Sequence, residues 1–455
     1  MCITCMMQVD LALELKYLDL NHEQRNARFS HTVNQLVNNP NSSIPQASSN
    51  WADTKGTYRF FSNKRVSIAA INTSITKATG ERCEPYDVVL SVQDTTNVHF
   101  SSSAEGLGYL DHGRGNGFMV HSAMAIDDQG CPIGLLHQKV WARDKMTIGK
   151  TRIRTELDIE QKESYKWLEG IKASEGLLKN NKCIIHIADR EADIYELFTM
   201  PKAANSEILI RATHERKTLL GNTIWEEIEA ERAIAHFEVE IENPVTGLTE
   251  AIAMTVRTGM IILAPPKKKP QLSAILLYGI IVTESNPKTD KPLEWRLIST
   301  IPAKDEEQAL QLVKYYTYRW RIERFHYILK SGCNLEELQL RDADALHRAT
   351  LTYCLCAFKL MQILYQSRIK PDQPCSEYFT KMEWSILAMV HYKRRIISKQ
   401  PLSLKLAVTI IAKLGGYIGR RNDGPPGIKN IWRGMKQLHA MMTAFEIHQL
   451  NLSTF

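Results

Sequence analysis

Tyr316, Arg319, Glu323 and Lys330 stand at offsets of three, seven and fourteen. At about 100° per helical residue all four project within an arc of roughly 60°. One face of a helix then carries a phenol, two cations and a carboxylate. Tyr318, Ile322, Phe325 and Leu329 form an apolar stripe roughly 120° away in the same segment, which gives the helix a side to dock on a core. A lone Glu or Arg on a long helix is ordinarily a solvated surface residue. The stripe gains chemical meaning only through partner carboxylates elsewhere in the chain.

Two such partners stand at the ends of apolar runs. Val88, Val89, Leu90, Ser91 and Val92 predict a buried strand that ends at Gln93 and Asp94, ahead of Thr95 and Thr96. The run Cys183 to Ala188 ends in the same way at Asp189. Strands buried on both faces read as continuous apolar runs, and the functional crevice of an open α/β sheet lies beyond their carboxyl ends. If the two strands are parallel neighbours, Asp94 and Asp189 lie side by side. Two anions that close raise one another's pKa unless a cation stands between them. Magnesium suits such a place, because it takes carboxylate oxygens, keeps several waters and binds phosphate.

With Glu323 as a third carboxylate, this set resembles the Asp, Asp, Glu triad of cut-and-paste DNA transposases with a ribonuclease H-like core. Within YTYRWRIERFHYILK, the helical stripe resembles the Tyr-Arg-Glu-Lys signature of hairpin-forming members of the bacterial insertion-sequence-four (IS-four) family. QDTT at Gln93 to Thr96 and ADREADIYE at Ala188 to Glu196 resemble the motifs around that family's two aspartates. The likeness runs from about Arg25 to the last helix. It implies an α/β fold: a ribonuclease H-like catalytic core interrupted by a β-rich insertion, with helical N-terminal DNA-binding and helical C-terminal regions. It also implies catalytic and metal-binding roles for Asp94, Asp189 and Glu323, with two Mg²⁺ ions and Mn²⁺ able to substitute. Tyr316, Arg319 and Lys330 would then hold phosphate as DNA is nicked, folded into a hairpin and reopened. Arg211 resembles a family arginine that grips phosphate near the hairpin. Trp295, in PLEWRLIST, matches the residue on which the family stacks a flipped base, a contact worth ~1 to 3 kcal/mol.

Composition is compatible with this reading and does not compel it. A chain of 455 residues suffices for two or three domains. Its net charge of +7, from 57 Lys plus Arg against 50 Asp plus Glu, suits a polyanionic partner and equally suits many enzymes of small molecules. The nine cysteines lack metal spacing, Cys2 and Cys5 having no second pair, and read as free thiols in a reducing cytoplasm. No signal peptide is evident, and the longest apolar stretch, near Ala274 to Val282, is too short to span a bilayer. The expected protein is soluble, cytoplasmic and, in a bacterium, nucleoid-associated.

The chain divides on patterning into three parts. Residues 1–80 predict helices at Asn21 to Asn39 and Ser67 to Thr79, joined by the turn-rich linker NNPNSSIPQASSN. Basic and aromatic side chains interleave there, as in a small helical domain or a DNA reader. The resemblance assigns this part to the terminal inverted repeats, with Arg28 and Arg59 at the family's basic positions, although Asn21 and His22 stand where relatives often show Gly-Asp.

Residues 81–345 predict the catalytic core, with strands at Val88 to Gln93, Asn97 to Ser101 and Phe118 to Ile126, a helix at Lys162 to Leu178, and strands at Cys183 to Ala188 and Glu207 to Ala212. The loop HGRGNG at His112 to Gly117 opens no helix and reads as a turn rather than a phosphate cradle. Between Asp189 and Glu323 lie 133 residues, more than one helix and one strand require, and β-branched alternation predicts an inserted β subdomain at about 215–303. Its APPKKKP, Ala264 to Pro270, reads equally as a solvated hairpin tip or a contact to DNA backbone.

Residues 346–455 predict helices, the first near Ala345 to Tyr365, with a small basic cluster at His391 to Arg395 that reads as a solvated face. By resemblance the last helices pair two subunits across two transposon ends. The partners implied are double-stranded DNA, both terminal repeats and target, and a second copy of the chain, with no membrane. A junction-type metal nuclease on the same core would share the acidic triad without its Tyr, Arg and Lys companions. An inactive end-binding remnant or inhibitor is the other alternative, favoured only by the unusual start MCITCMMQVD.

Overall fold

Side chains that accept hydrogen bonds from first-turn amides set where the N-terminal helices begin. His22, Ser43, Asn50 and Ser67 play this part for α1 (Glu23–Asn38), α2 (Ile44–Ala47), α3 (Trp51–Ser62) and α4 (Ile68–Cys83), each cap being worth about 1 kcal/mol. The turn-rich linker thus holds a helix of its own, α2, closed by a reciprocal capping box of Ser43 and Gln46. Helix α3 comes directly after it, in addition to the two helices expected in this part. Phe29, Phe60 and Phe61 are buried in the core, whereas Trp51 is exposed. The computed structural model describes residues 13–101, 104–110, 115–144, 146, 157–242, 249–287, 292–394, 400–420 and 423–453. Cys2, Cys5, Arg395 and, in the glycine loop, His112, Gly113 and Arg114 lie outside them.

From Val88 the chain forms β1 (Val88–His99), β2 (Gly108–Tyr109), β3 (Asn116–Ile126) and β4 (Pro132–Trp141), then helix α5 (Tyr165–Leu177), β5 (Cys183–Ala188), the short α6 (Tyr195–Thr199) and β6 (Ser206–Arg211). The principal strands lie in the order β4-β3-β1-β5-β6. β1, β3 and β4 are antiparallel neighbours, whereas β5 and β6 run parallel to β1. Counted by appearance and without the two-residue β2, the order is 3-2-1-4-5, the arrangement of a ribonuclease H-like core.

Two expectations change here. β1 is one strand running straight through Asp94, not two strands with a break beside it. Its parallel pairing with β5 ends at Val92↔Ile187, but its antiparallel pairing with β3 continues to His99↔Gly117. The polar run Asp94 to Asn97 is therefore strand, held by a single neighbour. β4 is a further strand beyond those expected, because its apolar run from Pro132 to Leu136 contains glycine and proline, which weaken a strand signal.

The inserted segment forms α7 (Ile224–Glu229) and strands β7 (Ala233–Glu242), β8 (Thr249–Leu263), β9 (Ile275–Glu284) and β10 (Glu294–Ser299). β10 pairs antiparallel with β6, so these strands extend the core sheet to ten strands in all. The chain then turns into α8 (Glu306–Thr317), α9 (Trp320–Tyr327), a π-helical turn at Ile328–Gly332, α10 (Ala343–Ile369), α11 (Lys381–Tyr392), α12 (Leu404–Leu414) and α13 (Ile428–Ser453). α10 is buried on nearly every side. It packs on β4, on α1, α3 and α4, and on α12 and α13, so both ends of the chain meet on it. Arg348 of α10 is itself buried and donates to the Phe61 and Val66 carbonyls, fixing α10 to the N-terminal helices.

Candidate functional site

Side chains alternate across a strand, so the parity of the buried residues decides which way each acid points. Leu90 and Val92 on β1, Ile185 and Ile187 on β5, and Leu209 on β6 all belong to the core beneath α9, together with Ile322, Phe325 and Leu329. Two residues further along each strand, on the same face, come Asp94, Asp189 and Arg211. The register places them level, since Val92 faces Ile187 and Ile187 faces Leu209. β10 continues the row: Leu297 faces Arg211, and Trp295 lies two residues away on that same face. Trp295 is half-buried against the main core and so keeps part of its ring for other contacts.

The helix that supplies Glu323 is not one regular helix. α8 ends at Thr317 and α9 begins at Trp320, with only Tyr318 and Arg319 between them. Amides at this joint bond three residues back, Arg319 to Tyr316 and Ile322 to Arg319. The joint, and the π-helical turn that carries Lys330, break the uniform 100° spacing assumed for the stripe. The four residues nevertheless stay on one side. Tyr316 and Arg319 are buried, Arg319 Nη1 lies 2.6 Å from Glu323 Oε1, and Lys330 Nζ donates to the Asn97 carbonyl at 3.4 Å, three residues past Asp94 on β1.

The two aspartates sit in opposite electrostatic states. Burial pushes the Asp94 carboxyl up, but the imidazole of His326, the Thr95 amide and the charge of Arg319 outweigh it and hold Asp94 below the usual carboxylate range. Asp189 is raised, by burial first and by the charge of Asp94, although the Glu191 amide opposes this. The charge of Asp94 thus bears on Asp189, while Asp94 itself is held down by His326 and Arg319. The close convergence of three acids is not seen: among the described residues no group of three His, Cys, Asp or Glu side chains converges closely enough to hold a metal ion. Glu323 is drawn into its ion pair with Arg319.

Residues that the sequence did not single out complete the site. Gln93 and Thr95 point to the opposite face from Asp94, and one buried imidazole, His121 on β3, bonds both, at 3.1 Å and 2.9 Å. Burial holds His121 well below its ordinary pKa, so it is neutral and able to donate to one and accept from the other. Gly170 of α5 makes room for this clamp, since a Cβ there would stand 2.2 Å from Gln93 Oε1. His326, one helical turn beyond Glu323, faces Asp94, and that spacing is the one signal in the sequence that points to it. Trp320 is 56% exposed, with the Arg319 guanidinium 4.8 Å from its ring centroid.

The remaining candidates lie elsewhere. Arg28 and Arg59 share a shallow cavity of about 330 Å³ on the N-terminal helices with Arg25 and Arg65. Arg28 is also tied to Asp53 at 3.4 Å and lies over Gly56, whereas Arg59 is exposed. The APPKKKP segment joins β8 to β9, and its Lys269 pairs with Glu196 rather than standing free. The cysteines among the described residues are free thiols, and no helix among those residues is long and apolar enough to cross a membrane.

Three family models match successive parts of the chain: transposase DNA-binding over residues 10–66, transposase DDE domain over 167–359, and transposase Tn5 dimerisation domain over 355–447. The DDE match includes Asp189 and Glu323 and begins beyond Asp94. A solved piggyBac transposase synaptic complex with hairpin DNA is similar at 10% identity and a TM-score of 0.32, over 78% of this chain and 57% of that one. The chain thus spans little more than half the length of that relative, and so loose a likeness carries no argument about mechanism.

Proposed function

We infer that this chain, a DDE transposase with DNA-binding, DDE and Tn5-type dimerisation parts in that order, excises a mobile element and inserts it into target DNA. The reading is that of the hairpin-forming IS-four type: a nick at the transposon end, closure of a hairpin, its reopening, and attack of the freed 3′-hydroxyl on target DNA. The observation that carries it is the level row of Asp94 and Asp189 on parallel strands, faced by the helix of Arg319 and Glu323. Residues 1–80 would read the inverted repeats through Arg28 and Arg59, 81–345 would cut, and 346–455 would pair two copies. The reaction would take place in the cytoplasm.

Asp94 and the carboxyl of Asp189, which burial and the charge of Asp94 raise, are neighbouring hard oxygen donors, and they fit Mg²⁺. Asp94 and Asp189 would hold it, with Glu323 joining once released by Arg319. Such ions, when bound, activate water and stabilise the leaving oxygen. The release of Glu323 follows from the protein's own groups. Arg319 Nε and the Tyr316 hydroxyl are buried without a well-formed hydrogen bond, although the guanidinium lies close enough to the phenol to oppose the upward push of burial on its pKa. A phosphate oxygen satisfies both donors and takes over the charge that Glu323 now neutralises. Binding of DNA and completion of the acidic triad are then one event.

The test uses DNA from the borders of the gene. Purified protein with Mg²⁺ should nick it and form a hairpin, and cleavage indifferent to chelator would overturn the reading. Arg319→Gln should lower that cleavage by about 10²-fold or more, the usual cost of one charge-stabilising donor, without weakening Mn²⁺ uptake by the DNA-free protein. Weaker uptake would mean that Arg319 supports the metal ligands instead of phosphate. Trp295→Ala should stall the hairpin step more than the first nick, because stacking of a flipped base matters only after strand cleavage. Product gels showing equal loss at both steps would remove Trp295 from that role.

A further inference from the structure

We propose that His326 is a positioning residue for Asp94, holding one carboxylate oxygen so that the other is presented to the cation; this rests on the metal-dependent reading above. His326 Nδ1 lies 3.6 Å from Asp94 Oδ2, while Asp94 Oδ1 accepts from the Thr95 amide at 2.7 Å. The far side of the ring is fixed as well. His326 Nε2 lies 3.2 Å from Ser122 Oγ, and Ser122 donates to Gln138 Oε1 at 2.9 Å. Through Ser122 the ring is oriented by a buried chain running from β4 through β3 to α9. His326, Ser122 and Gln138 are all buried, so water does not substitute for any link. Groups that orient a metal-binding side chain from behind typically control affinity by about 10- to 100-fold.

The role differs from simple packing in what it moves. His326→Leu fills the space and removes both polar contacts, His326→Asn keeps a donor near Asp94, and Ser122→Ala loosens the ring without touching it. Metal binding is read directly, as the loss of the free Mn²⁺ electron paramagnetic resonance signal on titration of the protein bound to border DNA, with thermal melting as the check on folding. His326→Leu should weaken Mn²⁺ uptake by about 10-fold or more, His326→Asn should recover most of it, and Ser122→Ala should fall between. Unchanged uptake in folded His326→Leu, or equal loss in His326→Asn, overturns the proposal. Asp94→Asn separates the two levels. If it abolishes uptake while His326→Leu does not, the positioning role alone fails; if it leaves uptake intact, the metal reading fails with it.

Discussion

Asp189→Asn is expected to abolish cleavage of border DNA while the chain stays folded and still binds that DNA. Asparagine keeps the side-chain oxygen that caps the Glu191 amide, a contact of 2.9 Å in the parent protein, so the turn after β5 survives. What is lost is a negative charge on the cation. Lewis-acid stabilisation worth several kcal/mol corresponds to about a thousandfold in rate. Asp94→Asn should behave alike, and Glu323→Gln should as well if phosphate releases Glu323 from Arg319. Cleavage assays beside gel-shift binding check all three, and retained cleavage would remove that residue from the triad.

The stability of the same variant has a defined sign. The folded pKa of Asp189 is raised above its unfolded value, by burial and by Asp94. Its ionisation therefore opposes folding, and the cost appears as pH rises through the unfolded and then the folded pKa. In chelator, Asp189→Asn should melt at or above the parent temperature at neutral pH, with the advantage vanishing in acid. A lower melting point at neutral pH would contradict the repulsion inferred between the aspartates.

The other large effect belongs to the C-terminal helices. A Cβ at Gly434 on α13 would stand 1.8 Å from the Ile411 carbonyl oxygen, and one at Gly415, just past α12, would stand 1.8 Å from the Asn430 carbonyl oxygen. Both obstacles are backbone, so no side-chain rotation relieves them and the helices must separate. Ile411, Ile431, Trp432 and Met435 are buried in this region and would lose contact. Gly434→Ala should cost at least about 1 to 3 kcal/mol, the range for overpacked cores. Thermal melting should shift down, and sedimentation should show weaker pairing of copies, because this helix lies in the matched dimerisation segment. An unchanged melting curve would mean that the helices do not cross so closely.

The level placement of Asp94 and Asp189 was legible because both stand at the ends of apolar runs, and strand parity does the rest. The continuity of β1 was not legible, since Asp94 to Asn97 has turn-like composition and is held in the sheet only by β3. Tertiary pairing overrides local preference there. The helical stripe was readable as a face but not in its joints: i to i+3 bonding before α9 and the π-helical turn at Lys330 leave no mark in residue types. The ion pair of Glu323 with Arg319 depends on which cation its carboxylate reaches, a three-dimensional fact. His121 gave no signal at all, lying as it does on a strand with no spacing relation to Gln93 or Thr95.

Because β10 is hydrogen-bonded to β6, the sheet acts as a ruler. Strands in a sheet are spaced about 4.8 Å apart, so the three steps from β1 through β5 and β6 to β10 set a lateral interval of about 14 Å between the columns of Asp94 and Trp295. Lengthening or shortening the hairpins among β7, β8 and β9 leaves that interval untouched. Only a change of strand order would alter it, which makes the outer part of the insertion free to diverge while the metric of the inner rungs is preserved.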